Sequence, residues 1–127
     1  MQLKDCPNHI VDTVITSAIN VHKELGPGLL ETVYEKALLI ELTECGLDAK
    51  RQVEIPVTYK GKGLGLGFRA DIIVANCLLL ELKVVDKLTD IHIAQLITYL
   101  KFMQFKRGYL LNFNEKLMKN GIKRISI

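Results

Sequence analysis

The stretch LLLELKVV, residues 78–85, places two ionisable side chains in the middle of an apolar run. Six of its eight residues are aliphatic, which is typical of a buried strand. Because side chains alternate across a strand, Glu81 and Lys83 are expected to point the same way, while the leucines between them point into the core. A buried isolated charge is very costly, so these groups require a partner or a metal ion.

The preceding strand, FRADIIVA, is interrupted in the same manner by Asp71. A short turn at Asn76-Cys77 joins the two strands, and folding back about it brings Asp71 close to the level of Glu81. Two carboxylates and Lys83 would then share one patch, in which like charges repel. A divalent cation relieves that repulsion, and Mg²⁺ favours one or two carboxylates together with water and phosphate. The alternative is a plain ion pair of Lys83 with either carboxylate.

Helical spacing of apolar residues predicts three helices. The first covers residues 8–25 and stops at Gly26-Pro27-Gly28, since proline lacks an amide donor. The second runs from about residue 29 to 45, and its apolar residues spread around much of its girth, which favours a central position. The third runs from about residue 89 to 103, with Thr89 as the N-cap.

The middle and end of the chain follow the two-residue period of strands. Strands are predicted at residues 52–59, 68–75, 78–85, 108–113 and 122–127. Pro56 places the first of them near a sheet edge or at a bulge. The order ααβββαβ, with the last strand added, predicts one sheet with helices packed on it.

Size and composition fit a single domain spanning residues 1–127, because 49% of the 127 residues are hydrophobic. No apolar run approaches the ~20 residues of a membrane span, and the N-terminus lacks a signal region. We therefore expect a cytoplasmic protein without a membrane partner.

The three cysteines are odd in number and widely spaced, which argues against a disulfide or a zinc site and favours buried, inert thiols.

The net charge of +3 permits nucleic-acid contact without arguing strongly for it. Basic residues cluster at Lys50-Arg51, at Lys60-Gly61-Lys62, and within residues 101–107 and 116–124. On charge alone, these clusters are expected to be solvated faces.

Asp71, followed after nine residues by Glu81-Leu82-Lys83, resembles the signature of the PD-(D/E)xK nuclease superfamily. One departure is Ala70, which stands where the superfamily name has a proline. The sequence GLLETVY, residues 28–34, is similar to the motif that names the GxxExxY protein family, a branch of that superfamily. The stretches VHKELGPGLLETVYEKAL, FRADIIV, LLLELK and HIAQLITYLK resemble this family as well, so the likeness covers most of the chain.

This resemblance implies an α/β (α+β) fold with a restriction-endonuclease-like αβββαβ core. Its mixed central sheet would be flanked by helices, with an extra N-terminal helix and a C-terminal strand. The implied activity is metal-dependent hydrolysis of DNA phosphodiester bonds by a homodimer, and the small size of the domain suits a structure-selective or end-processing enzyme. The alternatives are a catalytically inactive nuclease-fold module that binds nucleic acid or a protein partner, and a structural ion-pair cluster in an assembly subunit.

The resemblance also implies the residues of the site. Asp71, Glu81 and Glu31 would bind Mg²⁺ or Mn²⁺, and Lys83 would orient the attacking water or stabilise charge on the scissile phosphate. Gln95 and Tyr99 would line the site and contact DNA. By spacing alone, Gln95, Tyr99 and His92 form a polar line that is more typical of a solvated helix face.

Overall fold

The computed structural model describes residues 2–127 and contains three α-helices, α1 (Asn8–Leu25), α2 (Glu31–Glu44) and α3 (Asp90–Met103), with a short 3-10 helix at Met118–Gly121. The predicted bounds of α1 and the predicted N-cap of α3, Thr89, are confirmed. α2 begins later than predicted because Leu30 is still extended. Between residues 2 and 127, no helix is long and apolar enough to cross a membrane.

Five strands form one sheet in the order β1-β2-β3-β4-β5: β1 (Ala49–Tyr59), β2 (Lys62–Val74), β3 (Leu78–Lys83), β4 (Arg107–Asn112) and β5 (Ile122–Ser126). Neighbouring strands are antiparallel except β3 and β4, which are parallel and joined by α3. Such a pair needs a crossover connection, and α3 supplies it. The predicted αβββαβ core, with a helix before it and a strand after it, is therefore confirmed, and it is consistent with a restriction-endonuclease-like fold.

Each face of the sheet is covered by different helices. Leu78, Leu80 and Leu82 belong to the apolar cluster formed with α1 and α2, whereas Leu79 packs with Leu96 and Leu100 of α3. The alternation expected for β3 is thus present, and it assigns Glu81 and Lys83 to the face of Leu79.

The expectation that α2 is apolar and central around its girth is wrong. Its buried residues are Tyr34, Glu35, Leu38 and Leu42, while Ile40 is largely exposed. The reason is that α2 lies against one face of the sheet beside α1, so only one side of the helix meets the core.

β1 and β2 extend as a hairpin arm, which we define as residues 55–69. β2 starts six residues earlier than predicted because alternating glycines and leucines at 63–67 obscure the strand pattern. At Gly67 a Cβ atom would lie 1.9 Å from the carbonyl oxygen of Ile55, so only glycine allows this close pairing. A groove of about 520 Å³ runs along the arm, and none of the six predicted site residues lines it.

The expectation for the cysteines is wrong. Cys6 and Cys77 are joined in a disulfide, and Cys45 is exposed. The N-terminal segment lies along the sheet, where Lys4 bridges to Phe105, and this brings Cys6 to the start of β3. Sequence spacing could not show this contact, since the two cysteines are 71 residues apart.

Candidate functional site

The candidate site lies where β2 and β3 separate. Their ladder contains only three residue pairs and ends at Ile72 and Leu80, so Asp71 and Glu81 come directly after it. The backbone N–H of Asp71 donates to Oε2 of Glu81 (2.8 Å), and the N–H of Leu82 donates to Oδ2 of Asp71 (2.9 Å). Because buried backbone donors must be satisfied, the two carboxylates replace the next ladder bonds. The turn at residues 76–77 therefore brings them together as the sequence predicts.

Burial and mutual repulsion disfavour the charged forms of both carboxylates. Only 6% of Glu81 is exposed, and this burial, followed by the negative charge of Asp71, raises the pKa of Glu81 to about 8. Burial also raises the pKa of Asp71, aided by the charge of Glu35 and opposed by the N–H of Leu82. The patch therefore holds more potential negative charge than its surroundings neutralise, which is a mark of functional sites.

Lys83 follows Glu81 on the same face of β3, and its charge partly offsets the rise in pKa of both carboxylates. The ion pairs between residues 2 and 127 are Arg51–Glu35, Arg69–Glu54 and Arg107–Asp5. Lys83 is in none of them. The described residues therefore do not form the plain ion pair that the sequence left open as an alternative.

Tyr34 positions the start of α2. The loop before this helix turns through left-handed backbone at Gly26 (φ 72°) and Gly28 (φ 91°), which glycine adopts without strain. The fully buried Tyr34 hydroxyl donates to the carbonyl of Gly26 (2.5 Å) and accepts from the N–H of Leu29 (3.0 Å), while its ring stacks on Phe113. The glycine and tyrosine of the GLLETVY motif thus have a structural role, which is to fix the position of Glu31.

Glu31 is the third carboxylate predicted as a metal ligand. Partial burial, followed by the charge of Asp71, raises the pKa of Glu31, so the two groups are within electrostatic reach. Across residues 2–127, however, no three His, Cys, Asp or Glu side chains form a group that could hold a metal ion. The assembled part is the pair Asp71 and Glu81. Two carboxylates fit Mg²⁺ or Mn²⁺, because such ions complete their coordination with water and phosphate.

Tyr99 on α3 packs against the base of the hairpin arm. Its ring stacks on Phe68 of β2, with the ring centroids 3.8 Å apart and the planes nearly parallel. Burial, followed by the charges of Glu81 and Asp71, raises the pKa of the Tyr99 hydroxyl. Tyr99 therefore lies within electrostatic reach of both carboxylates and joins the base of the hairpin arm to α3.

Gln95 lies one turn before Tyr99 and is exposed, and its part in the site stays a prediction. His92, the third residue of the predicted polar line, has a different role. Its Nδ1 accepts the backbone N–H of Thr89 (3.1 Å), so it caps the first turn of α3.

A hydrogen-bonded chain that the sequence did not predict reaches Asp71 from β1 and α2. Nε of Arg51 and Nε2 of Gln52 both donate to Oε1 of the buried Glu35, at 2.9 and 2.8 Å. Nε2 of Gln52 also lies 3.5 Å from Oδ1 of Asp71. The one signal in the sequence is that Glu35 adjoins the buried stripe of Tyr34 and Leu38, where a charge requires partners.

The basic clusters are not all solvated faces. Arg107, at the end of the 101–107 cluster, is buried and donates to the carboxylate of Asp5 and the carbonyl of Cys6. This differs from the expectation because β4 is an interior strand of the sheet, so a charge on it must find internal partners. Lys60 and Lys62 remain exposed at the turn of the hairpin arm.

Comparison with known proteins gives one result. A family model described as the PD-(D/E)XK nuclease superfamily matches residues 8–125, nearly the whole chain. Neither a curated protein nor a solved structure gives a significant match.

Proposed function

Because the chain belongs to the PD-(D/E)XK nuclease superfamily, we propose that it is a metal-dependent nuclease that hydrolyses phosphodiester bonds of DNA. The observation that carries this proposal is the reciprocal contact of Asp71 and Glu81, in which each carboxylate accepts a backbone N–H from the other strand. This contact holds two carboxyl groups together beside an amine outside ion-pair distance, and an incoming cation would favour the charged form of both, an arrangement suited to a metal ion and a phosphate.

Asp71 and Glu81 would hold the ion, with Glu31 as a further ligand. A bound Mg²⁺ or Mn²⁺ polarises the scissile phosphate and makes an attacking water more acidic. The Lys83 ammonium would orient that water or stabilise negative charge that develops on the phosphate. Tyr99 and Gln95 would contact the DNA beside the scissile bond, and the exposed Lys60 and Lys62 would hold the phosphate backbone without reading its sequence.

The finer features of the proposal follow from the sequence resemblance. Gly28, Glu31 and Tyr34 match the motif of the GxxExxY branch, to which we assign the chain, and the hydrogen bonds of Tyr34 support this assignment because they give the glycine and tyrosine of the motif a structural role. A domain of this size suits a structure-selective or end-processing enzyme better than a sequence-reading one. Resolvase-like relatives suggest a homodimer, which light scattering of the purified protein would test.

Cleavage assays test the activity directly. Single-stranded, duplex and branched DNA are incubated with Mg²⁺, Mn²⁺ or chelator. We expect cleavage that requires metal and falls by about 100-fold or more in Glu81→Gln and in Lys83→Ala, the scale of losing a preorganised charge-stabilising group. Glu54→Gln, on the exposed part of β1, and Lys119→Ala are the matched controls and should cleave like the parent. DNA binding without cleavage in any metal would overturn the proposal and favour the catalytically inactive module.

A further inference from the structure

Gln52 has an unusual backbone for a residue inside a strand. Its φ is +54°, in the left-handed region that residues other than glycine rarely adopt. The pairs on either side of it, Arg51 with Ile72 and Val53 with Ala70, place Gln52 opposite Asp71. Such a conformation persists only where surrounding contacts enforce it, and it is concentrated at functional sites.

The main contact of the Gln52 side chain is with Glu35, which is itself held by Arg51. Only 3% of Glu35 is exposed, and its Oε1 accepts from both Nε of Arg51 (2.9 Å) and Nε2 of Gln52 (2.8 Å). A buried carboxylate held by two donors has a fixed position, so the amide of Gln52 is fixed as well. Its nitrogen has a second hydrogen, for which Oδ1 of Asp71, 3.5 Å from that nitrogen, is an acceptor.

We propose that Gln52 is a positioning residue for Asp71, and that its amide, anchored on the Glu35–Arg51 pair, orients Oδ1 of Asp71 toward a bound divalent ion. The other oxygen, Oδ2, is already held by the N–H of Leu82. Because each oxygen of Asp71 accepts a hydrogen bond, the carboxylate cannot rotate freely. Hydrogen-bond partners of this kind orient metal ligands in many proteins. The inference rests on the proposed function in one respect, since it requires that Asp71 be a metal ligand.

Mn²⁺ affinity of a Gln52→Gly variant tests the inference. Glycine suits the left-handed backbone, which offsets part of the stability lost with the hydrogen bond to the buried Glu35, so the variant should fold with a modestly lower midpoint of thermal unfolding. Isothermal titration should show that Mn²⁺ binds on the order of 10-fold more weakly than in the parent, the lower end of the effect expected for such a partner. Cleavage should fall at limiting Mn²⁺ and recover at saturating Mn²⁺, which a loss of folded protein would not do.

The matched control is Gln104→Gly. Gln104 is also a glutamine in left-handed backbone (φ +59°), but it is the exposed C-cap of α3. It should show the same backbone effect on stability with no change in Mn²⁺ affinity. The second variant is Gln52→Asn. Asparagine tolerates the same left-handed backbone, but its side chain is one methylene shorter, so this variant should bind Mn²⁺ as weakly as Gln52→Gly.

Two results would overturn the inference, and they are distinguishable. If the parent binds Mn²⁺ and both Gln52 variants bind it equally well, the positioning role is wrong while the nuclease proposal stands. If the parent binds no Mn²⁺, the nuclease proposal and the positioning role fall together.

Discussion

Arg107 and Glu81 lie toward opposite ends of the parallel β3–β4 pair, and both are almost completely buried. Arg107 has internal partners, since it donates to Asp5 (2.8 Å) and to the carbonyl of Cys6. The N–H of Cys6, followed by Arg107, lowers the pKa of Asp5, so the charged form is favoured there. Glu81 instead faces Asp71, and burial with this like charge raises its pKa to about 8.

The difference separates a structural contact from a candidate ligand site. The structural contact, which we call the anchor, is that of Arg107 with Asp5 and Cys6. At Arg107 a buried charge has an opposite charge and a carbonyl beside it, and the result is a fixed N-terminal segment. At Glu81 the neighbouring carboxylate has the same sign of charge, and Lys83, whose charge lowers the pKa of Glu81, forms no ion pair with it. Buried charge with internal partners stabilises the fold, whereas buried charge without them indicates a place for an external ligand.

The largest expected effect is the pH dependence of stability that Glu81 confers on the metal-free protein. Its folded pKa of about 8 exceeds the unfolded value of 4.5, so between these pH values the folded state retains a proton that the unfolded state has lost. The free energy of unfolding should therefore fall as pH rises through this range, by up to about 1.4 kcal/mol per pH unit. Urea unfolding in chelator at several pH values measures this slope.

Glu81→Gln should flatten the slope and leave the metal-free protein more stable than the parent above pH 8. Glu54→Gln, whose carboxylate is exposed on β1, should keep the slope of the parent. An equal slope in Glu81→Gln and the parent would mean that burial and repulsion do not disfavour the charged form of Glu81. The contrast with Arg107 would then disappear.

Arg107→Met should change the free energy of unfolding in the opposite direction from Glu81→Gln. It removes the charged donor to Asp5 and Cys6 and should destabilise the protein by about 1.5–3 kcal/mol, the range for hydrogen bonds to charged groups. Urea unfolding near neutral pH measures the loss, and Arg124→Met, on an exposed position of β5, is the control. If Arg107→Met were neutral, the anchor role would be wrong.

Tyr34→Phe should have the smallest effect, because it removes one hydroxyl and leaves the ring stacked on Phe113. The Gly26 carbonyl and the Leu29 N–H lose their partner, which should cost about 1 kcal/mol of stability. A modest loss of Mn²⁺ affinity should accompany it, since the same loop places Glu31. Tyr59→Phe, on the exposed hairpin arm, should change neither quantity. A destabilised variant with unchanged Mn²⁺ affinity would remove Tyr34 from the account of the site.

Most of the fold could be predicted because apolar spacing is a local signal. The bounds of α1 and the N-cap of α3 follow from residues next to one another in the chain. The errors occur where the answer depends on distant contacts. The early start of β2 depends on the pairing of Gly67 with Pro56 and its close approach to the carbonyl of Ile55, and the Cys6–Cys77 disulfide depends on where the N-terminal segment lies.

The same limit applies to the site. Asp71 and Glu81 could be brought together from sequence because one short turn joins their strands. Gln52 and Glu35 could not, since their contact needs a left-handed residue in β1 and the packing of α2 against that strand. A polar residue that alternates in a strand or adjoins a helix stripe looks ordinary until its tertiary partners are known.

Titration of Mn²⁺ into the parent and into Asp71→Asn, near neutral pH, is the most direct test of the claim that an ion neutralises the crowded carboxylates. The variant keeps the shape of the side chain and an acceptor for the N–H of Leu82. The account predicts Mn²⁺ binding by the parent and a large loss of affinity in Asp71→Asn, with unfolding of the metal-free variant at the same or a higher temperature. Equal Mn²⁺ affinity in the two proteins, or a variant that is destabilised with its Mn²⁺ affinity intact, would contradict it.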